Sequence, residues 1–175
     1  MARWIILLRG VNVGGHGKLP MAALRQHLAN AGYSGVKTYI QSGNIVLDST
    51  QERDALCRQI ADLIERHFGF CPPALALRPD ELRTALAEAP FEVADKKQLH
   101  LYFLGGTIAL DAEGLRADCT SGEVFERRGH VLYLATPNGM GRSRAAAKLE
   151  THLKVDVITA RNLNSCEKLL ALAGD

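Results

Sequence analysis

The chain has 175 residues, of which 47% are hydrophobic and 23% are charged, and its formal net charge is +2. This composition suits a globular protein of one domain or two small lobes, and the mild charge argues against a dedicated nucleic-acid coat while leaving room for a local basic patch. The apolar run Trp4–Leu8 is too short for a membrane span or for the apolar part of a signal peptide. We therefore expect a cytoplasmic protein without a membrane partner.

The first half of the chain has apolar periodicities that alternate between strand and helix. The predicted elements are a strand at 3–9, a helix from Pro20 to about Ala31, strands at 36–41 and 44–48 joined by a two-residue turn at Ser42-Gly43, a helix after the capping-box pattern Ser49–Glu52, and a strand at 74–77. The resulting order, β-α-β-β-α-β, is the ferredoxin-like arrangement.

The second half repeats this order. It begins with a helix from Pro79 and a polar bridge at 91–97, followed by a strand at 99–104, a short helix at 111–117, strands at 123–127 and 130–135 joined at Arg128-Gly129, a helix at 143–153, a strand at 155–159 and a last helix from Asn162 or Asn164. We predict an α+β fold of two ferredoxin-like lobes from an internal duplication, with a C-terminal helix. The predicted boundaries are 1–78 for lobe 1, 79–97 for the helix and bridge, and 98–175 for lobe 2 with the C-terminal helix.

A glycine-rich segment, Arg9–Lys18, follows the first strand. It has four glycines in eight residues, which permit positive φ and leave backbone N–H groups uncovered, and it is bracketed by two positive charges. A strand, a glycine-rich turn and a helix start commonly hold an anion. Asn12 replaces a glycine that the P-loop requires, and Leu19 follows the lysine, so no named phosphate motif fits. The segment is interpreted either as an anion contact or as a flexible connection.

Two polar segments in the second half can likewise be interpreted either as ligand contacts or as purely structural segments. The segment Thr136–Arg144 carries glycines, and Arg142, Arg144 and Lys148 place three positive charges within seven residues. These charges would suit a phosphate or carboxylate ligand. Alternatively, the segment is a solvated helix face that is capped by Ser143. Thr159–Ser165 reads as a small polar pocket anchored by Arg161, or as a helix cap beside a structural arginine. Because we expect the first and third strands of a lobe to be parallel and the fourth to oppose them, Arg161 is predicted to lie away from Arg142.

The residues that usually hold metals show no metal-binding pattern. The four cysteines are separated by 14, 48 and 47 positions without a C-x-x-C pair, and the six histidines form neither H-x-x-x-H nor H-E-x-x-H. The sequence therefore predicts reduced thiols, no metal and no cofactor. Catalytic residues are not identified, and His16 is the one histidine considered as an acid or base. The predicted ligand-binding residues are Arg9, Asn12, Gly14, Gly15, Lys18, Asn44, Asn138, Arg142, Ser143, Arg144, Arg161 and Asn162.

Four stretches together resemble the bacterial domain-of-unknown-function family 1697. They are R-G-V-N-V-G-G-H-G-K-L-P-M-A-A-L-R, Y-I-Q-S-G-N-I-V, P-N-G-M-G-R-S and T-A-R-N-L-N-S. The resemblance covers essentially the whole chain and implies a duplicated ferredoxin-like α+β fold, without an established activity or cofactor. Leu163 and Ser165 stand where the family commonly has tryptophan and threonine, so a stacking platform is missing there.

Three functions are carried forward from the sequence. The first is binding of an anionic ligand, either a phosphorylated small molecule or a nucleic acid, through the glycine-rich and Arg/Asn-rich loops. The second is a protein–protein interaction module whose sheets pair. The third is an enzyme, a hydrolase or transferase acting on a phosphorylated or carboxylated substrate. The oligomeric state does not follow from the sequence.

Overall fold

The computed structural model describes residues 1–174 as a mixed α+β protein with antiparallel sheets. The strands are β1 (Ala2–Leu8), β2 (Ser34–Tyr39), β3 (Asn44–Ser49), β4 (Ala74–Leu77), β5 (Leu99–Gly105), β6 (Ala109–Leu110), β7 (Val124–Arg128), β8 (Val131–Ala135), β9 (Leu153–Lys154) and β10 (Val157–Asn162). The α-helices are α1 (Met21–Asn30), α2 (Arg53–Phe68), α3 (Pro79–Ala87), α4 (Ala112–Asp118), α5 (Arg144–Lys148) and α6 (Leu163–Ala173). The α+β class is thereby confirmed.

The chain divides into two compact units. Unit 1 comprises Met1–Thr84 together with the chain from Glu167 onward, and unit 2 comprises Ala85–Cys166. The three-part division at residues 78 and 97 stays a prediction. None of the helices among residues 1–174 is long and apolar enough to cross a lipid bilayer.

Unit 1 is built on one sheet with the strand order β2-β3-β1-β4. The continuous apolar sequence Trp4–Leu8 is buried throughout, and its alternate residues Trp4, Ile6 and Leu8 pack in one core with α1 and α2. The helices contribute Leu24 and Leu28 from α1, and Leu56, Ile60, Leu63 and Ile64 from α2. Because each buried aliphatic side chain contributes about 1.5–3 kcal/mol, this 3.6-residue stripe holds the helices against the sheet.

Unit 2 is built on a second four-stranded sheet, with the order β10-β5-β8-β7, and has a separate pair of short strands, β6 and β9. One face of its sheet packs against α4 and α5. The fully or nearly buried residues of this core are Tyr102, Leu104, Leu115, Leu132, Leu134, Ala145, Leu149, Leu153 and Ile158. The β6–β9 pair is absent from the sequence predictions, because two-residue strands have too few positions to show a period.

The directions of the strands differ from our expectation. In both units the first and third strands are antiparallel, as β1 with β3 and β5 with β8, so the predicted parallel arrangement is wrong. The reason is that the helical crossover gives the first two strands one direction, and the hairpin that follows reverses it. In unit 2, Ala135 pairs with Leu99 and Asn162 pairs with His100, so β8 and β10 both end opposite the start of β5, at the same end of the sheet. The prediction that the chain near Arg161 lies at the opposite end from the loop after β8 is therefore also wrong.

Two local predictions in unit 1 are corrected. Tyr39 pairs with Asn44, so the β2–β3 connection has four residues instead of the predicted two. The capping box at Ser49–Glu52 does not form, because α2 begins at Arg53 and Glu52 occupies the N-cap position without a side-chain bond. Ser49 Oγ instead accepts a hydrogen bond from the N–H of Gln51 at 3.1 Å. A short polar pattern thus indicated a helix start but misplaced it by a turn.

Two more corrections concern the end of unit 2. The helix predicted at 143–153 is only the five-residue α5, followed by a 3₁₀ turn at Leu149–His152. The last strand, predicted at 155–159, extends to Asn162, so Arg161 is a strand residue and not part of a polar loop. The last helix follows at once, and Asn162 caps it by accepting from the N–H of Ser165 at 2.9 Å, which excludes the alternative start at Asn164.

Candidate functional site

The glycine-rich segment after β1 forms a small, solvent-exposed hairpin. Val13 and His16 exchange backbone hydrogen bonds of 3.2 and 2.9 Å between them. Gly14 and Gly15 form the turn with φ of +56° and +80°, a pair of positive values that glycine adopts without steric cost. The glycines therefore form a tight, exposed turn, and α1 begins after the segment, at Met21.

The side chain of Asn12 holds the base of this hairpin. Its Oδ1 accepts from the N–H of Leu19 at 2.8 Å, and its Nδ2 donates to the carbonyls of Leu19 at 3.0 Å and Gln41 at 2.7 Å. Asn12 also has φ +55°, a value that asparagine tolerates better than most residues. The Asn12 amide thus forms its hydrogen bonds within the protein, and the bond to Gln41 connects the hairpin to the β2–β3 turn.

Asn44, another predicted ligand-binding residue, supports the same turn from inside. Its side chain is fully buried, and its Nδ2 donates to the carbonyl of Tyr39 at 3.1 Å and to Ser42 Oγ at 2.8 Å. Gly43 completes the contact by accepting from the N–H of Leu8 at 2.9 Å. The hairpin and the turn therefore lie together at the end of the sheet where β1 ends and β3 begins. We call residues 9–18 and 40–43 the hairpin end of unit 1.

The hairpin end carries two exposed β-branched side chains. Val13 is 62% exposed and Ile40 is 51% exposed. Ile40 also has φ +49°, a left-handed conformation that costs a β-branched residue about 1–2 kcal/mol. Exposure of apolar side chains and backbone strain therefore coincide here.

The charge of the N-terminal segment is one-sided. Residues 1–47 contain five Lys or Arg residues and no Asp or Glu, whereas residues 48–175 contain sixteen and nineteen. Arg3 is neutralised by Asp48 at 2.7 Å, Arg9 is half-buried, and Lys18 and Arg25 are exposed. His16 consequently has no carboxylate in its own segment to orient it as a catalytic acid or base.

The loop after β8 in unit 2 uses its polar side chains internally. Ser143 is buried and caps α5 by accepting from the N–H of Ala146 at 3.0 Å, as the helix-cap interpretation predicted. Asn138 donates to the carbonyl of Ser121 at 2.9 Å. Arg142 is exposed. Of the predicted anion-binding residues of this loop, Ser143 is buried, whereas Asn138, Arg142 and Arg144 are exposed.

Arg161 lies in the interior of unit 2. It is 8% exposed, and its guanidinium donates to Thr159 Oγ1 and to the carbonyl of Ala160, each at 2.8 Å. Burial lowers the pKa of the guanidinium to about 10, because the charged form loses solvation. Together with the cap formed by Asn162, this geometry matches the structural interpretation of the segment.

An ionic cluster around Asp118 joins α4 to α5 and to the 3₁₀ turn that follows. Asp118 is 5% exposed and accepts from Arg144 Nε at 2.6 Å and from His152 Nε2 at 2.7 Å, with Lys148 Nζ at 3.9 Å. The other ring nitrogen of His152 lies 3.5 Å from an oxygen of Asp111. Arg144 is therefore engaged in this cluster. Both nitrogens of His152 face carboxylates, which makes the cluster a structural clamp.

The Asp118 cluster predicts an acid-sensitive unit 2. The hydrogen bond from His152 holds the pKa of Asp118 below its usual range, against burial and with help from Arg144. A carboxylate with a lowered folded pKa binds fewer protons in the folded than in the unfolded state, so it stabilises the fold above its unfolded pKa of about 3.9, and that stability is lost as the pH falls further. Urea unfolding at several pH values should show this loss in the wild type.

Asp118→Asn is the variant for this acid test, and Asp62→Asn, on an exposed position of α2, is the matched control. The Asn variant should be less stable at neutral pH and should show a flatter dependence below about pH 4. The control should follow the wild-type curve. If the free energy of unfolding of Asp118→Asn still fell below about pH 4 as steeply as that of the wild type, other groups would be responsible for the acid sensitivity.

A cleft of about 440 Å³ opens at the other end of the unit 1 sheet, where β1 begins and where β3 and β4 end. It is lined by Met1, Ala2, Trp4, Ser49, Thr50, Gln51, Glu52, Arg53 and Arg78. None of these residues was predicted to bind a ligand, because Trp4, Arg53 and Arg78 lie in three separate parts of the chain and form no local motif. The sequence carried only a weak signal for this cleft. Arg78 directly follows β4, the strand that pairs with the strand of Trp4, and Arg53 is the first residue of α2.

The predicted ligand-binding residues are divided between the two units. Arg9, Asn12, Gly14, Gly15 and Lys18 belong to the hairpin end of unit 1, and Asn44 is the first residue of β3 beside it, whereas the remaining six belong to unit 2. The carboxylate–histidine pair of unit 2 was missed, because Asp118 and His152 are 34 positions apart. The charge asymmetry of residues 1–47 was a readable sequence signal that overall net charge concealed.

Comparison with known proteins gives similarity over most of the chain. Residues 1–133 match the family described as "Protein of unknown function (DUF1697)". Among solved structures, the conserved bacterial protein SP0830 from Streptococcus pneumoniae is similar with a TM-score of 0.73 and 25% sequence identity, over 98% of each chain. No curated protein matches the sequence.

Proposed function

Since the chain belongs to the DUF1697 family of proteins of unknown function, its function has to be argued from its own geometry, and we propose that it binds nucleic acid through the hairpin end of unit 1. The observation that carries this proposal is the absence of any carboxylate from residues 1–47, which contain five cationic side chains. Arg9 and Lys18 belong to the hairpin end, whereas Arg3 is paired with Asp48. A segment of uniform positive charge attracts phosphate backbones and concentrates them near its exposed cations.

The shape of the hairpin end favours nucleic acid over a phosphorylated small molecule. Small ligands bind in concave pockets that bury most of their surface. The segment Asn12–His16 is exposed at every residue, so it suits an extended polyanion that lies along a surface. In this proposal Lys18 contacts a phosphate, and so does Arg25, which lies on α1 and donates a hydrogen bond to Thr38 of β2. The exposed N–H groups of Gly14 and Gly15 add backbone donors. Asn12 and Asn44 hold the loops in place.

The experiment is fluorescence anisotropy of a labelled single-stranded RNA and of a DNA with the same sequence, at several salt concentrations. The double variant Lys18→Gln/Arg25→Gln should bind about tenfold more weakly, and the slope of log K against log salt should fall by about 1.4–1.8, because each lost phosphate contact removes about 0.7–0.9. Both side chains are exposed, so the variant should fold normally.

The matched control is Lys154→Gln, which removes an exposed charge from unit 2. It should leave the affinity and the salt slope near the wild-type values. An affinity that does not change with salt, or an equal loss in the control and the double variant, would contradict nucleic-acid binding at the hairpin end.

A protein–protein interaction module is the second candidate. The exposed Val13 and the strained, exposed Ile40 favour it, because apolar side chains at a surface gain from being covered. Light scattering across a range of concentrations separates a self-associating protein from a monomer. If Val13→Ser and Ile40→Gly abolished an observed association, the hairpin end would be the interface.

We also propose that the two units arose by duplication of a ferredoxin-like βαββαβ motif. The support is that the strand orders β2-β3-β1-β4 and β7-β8-β5-β10 correspond element by element, each with a hairpin between its second and third strands in chain order.

We propose a cytoplasmic location as well, and the free state of all four cysteines agrees with it.

A further inference from the structure

The cleft at the start of β1 has the composition of an anion-binding site. Four chain segments converge there, since Ala2 pairs with Ser49 at the end of β3, Ile5 pairs with Leu77 at the end of β4, and α2 begins at Arg53. Its volume of about 440 Å³ lies within the range of small-molecule sites.

Two arginines lie against the indole ring of Trp4 inside this cleft. The guanidinium carbon of Arg78 is 4.4 Å from the ring centroid, and that of Arg53 is 5.7 Å away. Arg53 is fixed by Glu81, whose two carboxylate oxygens lie 2.7 and 2.9 Å from its Nη2. Arg78 forms no ion pair with any carboxylate of residues 1–174, and its one side-chain hydrogen bond is a 3.5 Å contact with the Arg3 carbonyl. Its charge is thus held in place by stacking and remains available.

Other groups around the cleft are hydrogen-bond donors without acceptors. Trp4 is 5% exposed, and its Nε1 has no hydrogen-bond partner among the residues that the structure describes, 1–174. The first helical bond of α2 runs from Leu56 to Glu52, and Glu52 supplies no side-chain cap, so the N–H groups of the first turn are also uncapped. A buried donor without an acceptor is costly, and an occupied site removes that cost. The helix dipole adds to the preference for an anion.

The acceptors of the cleft are few and specific. Gln51 Oε1 is buried without a donor among residues 1–174, and the exposed Glu52 carboxylate lies at the rim. The Glu52 carboxylate can accept a hydrogen bond from a ligand hydroxyl directly, and Gln51 can do so after its side chain rotates toward the cleft. Glu81 is already shared between Arg53 and the N–H of Arg78, so it does not oppose the ligand's charge on its own.

From this arrangement we infer that the cleft lined by Trp4, Arg53 and Arg78 binds a phosphorylated polyol, with its phosphate on the arginines and the start of α2 and its hydroxyls on Gln51 and Glu52. The chemical class of the ligand follows from the groups in the cleft, because its hydrogen-bond donors suit a phosphate and the acceptors at its rim suit hydroxyl groups. The site lies at the opposite end of the sheet from the hairpin end and is independent of nucleic-acid binding there.

Isothermal titration calorimetry with glycerol 3-phosphate and glucose 6-phosphate tests this inference, with glycerol and glucose as uncharged controls. The wild type should bind a phosphorylated probe and neither control. Arg78→Met keeps an unbranched side chain against Trp4 and removes the charge, and Trp4→Phe keeps the ring and removes Nε1–H. Each should weaken binding by about 10- to 100-fold, the usual size of a lost hydrogen bond to a charged group.

The matched control is Arg58→Met, which removes an exposed arginine from the same helix, α2, outside the cleft. It should bind like the wild type, and so should Lys18→Gln/Arg25→Gln, which separates this site from the hairpin end. Circular dichroism confirms that each variant is folded, and Arg78→Lys should retain part of the affinity. The inference is overturned if no phosphorylated probe binds, or if Arg78→Met and Arg58→Met bind equally well.

Discussion

Gly43→Ala should lower the free energy of unfolding by about 2–5 kcal/mol. Gly43 is buried with φ +77°, and a Cβ built there would lie 2.6 Å from Val11 Cγ2 and 2.7 Å from Leu8 Cβ. The left-handed backbone accounts for about 1–2 kcal/mol, and the overpacking against β1 accounts for the rest. Urea unfolding followed by circular dichroism measures the change.

Gly69→Ala is the control that separates these two costs. Gly69 ends α2 with φ +81°, and a Cβ built there meets nothing within 4 Å. This variant should therefore lose about 1–2 kcal/mol from the backbone alone. Equal losses at the two glycines would mean that β1 and the loop after it adjust freely, and the close approach of the turn to Leu8 would then be unimportant.

Asn12→Ala should lower the free energy of unfolding by about 2–4 kcal/mol and should also weaken nucleic-acid binding. The substitution removes three hydrogen bonds, two with Leu19 and one with Gln41, and leaves alanine at φ +55°. Binding suffers because the hairpin end loses the side chain that fixes it, although the net charge does not change. Unfolding in urea and the anisotropy measurement give the two readouts.

Two further variants interpret the Asn12 result. Asn12→Gly loses the same hydrogen bonds without the left-handed strain, so it should be less destabilised than Asn12→Ala by about 1 kcal/mol. Asn138→Ala removes an exposed asparagine with one hydrogen bond, to Ser121, and should cost less than about 1 kcal/mol. If Asn12→Ala kept full stability but lost binding, Asn12 would contact the ligand directly, as its sequence position first suggested.

Elements with clear apolar patterns could be predicted from the sequence alone. The strand at 74–77 is found where the apolar run after Pro72-Pro73 places it, and the apolar stripe of α2, with Leu56, Ile60 and Ile64, is found where the helical periodicity places it. Each of these patterns involves several residues that favour the same burial, so the summed preference is large compared with the local alternatives. The family resemblance is confirmed over residues 1–133, which contain the first two of the four motifs that indicated it.

Assignments that rested on one or two polar residues were less secure. Ser49 was predicted to cap α2, but its hydroxyl accepts from Gln51 and the helix starts one turn later than the pattern implied. Asn12, Asn44 and Ser143 were predicted to face a ligand, yet each bonds to backbone within its own unit. A polar side chain can satisfy a turn, a cap or a ligand equally well, and only its surroundings decide between them.

The sequence by itself determined the α+β class, the order of the elements and the one-sided charge of residues 1–47, because these depend on local periodicity and on counting. Tertiary structure alone decided that β1 and β3 are antiparallel, that Asp118 meets His152 across 34 positions, and that Trp4, Arg53 and Arg78 line one cleft. The physical reason is that hydrophobic burial is additive along the chain, whereas a site requires a few groups to meet at distances of 3–5 Å, which register and packing set and no local pattern encodes.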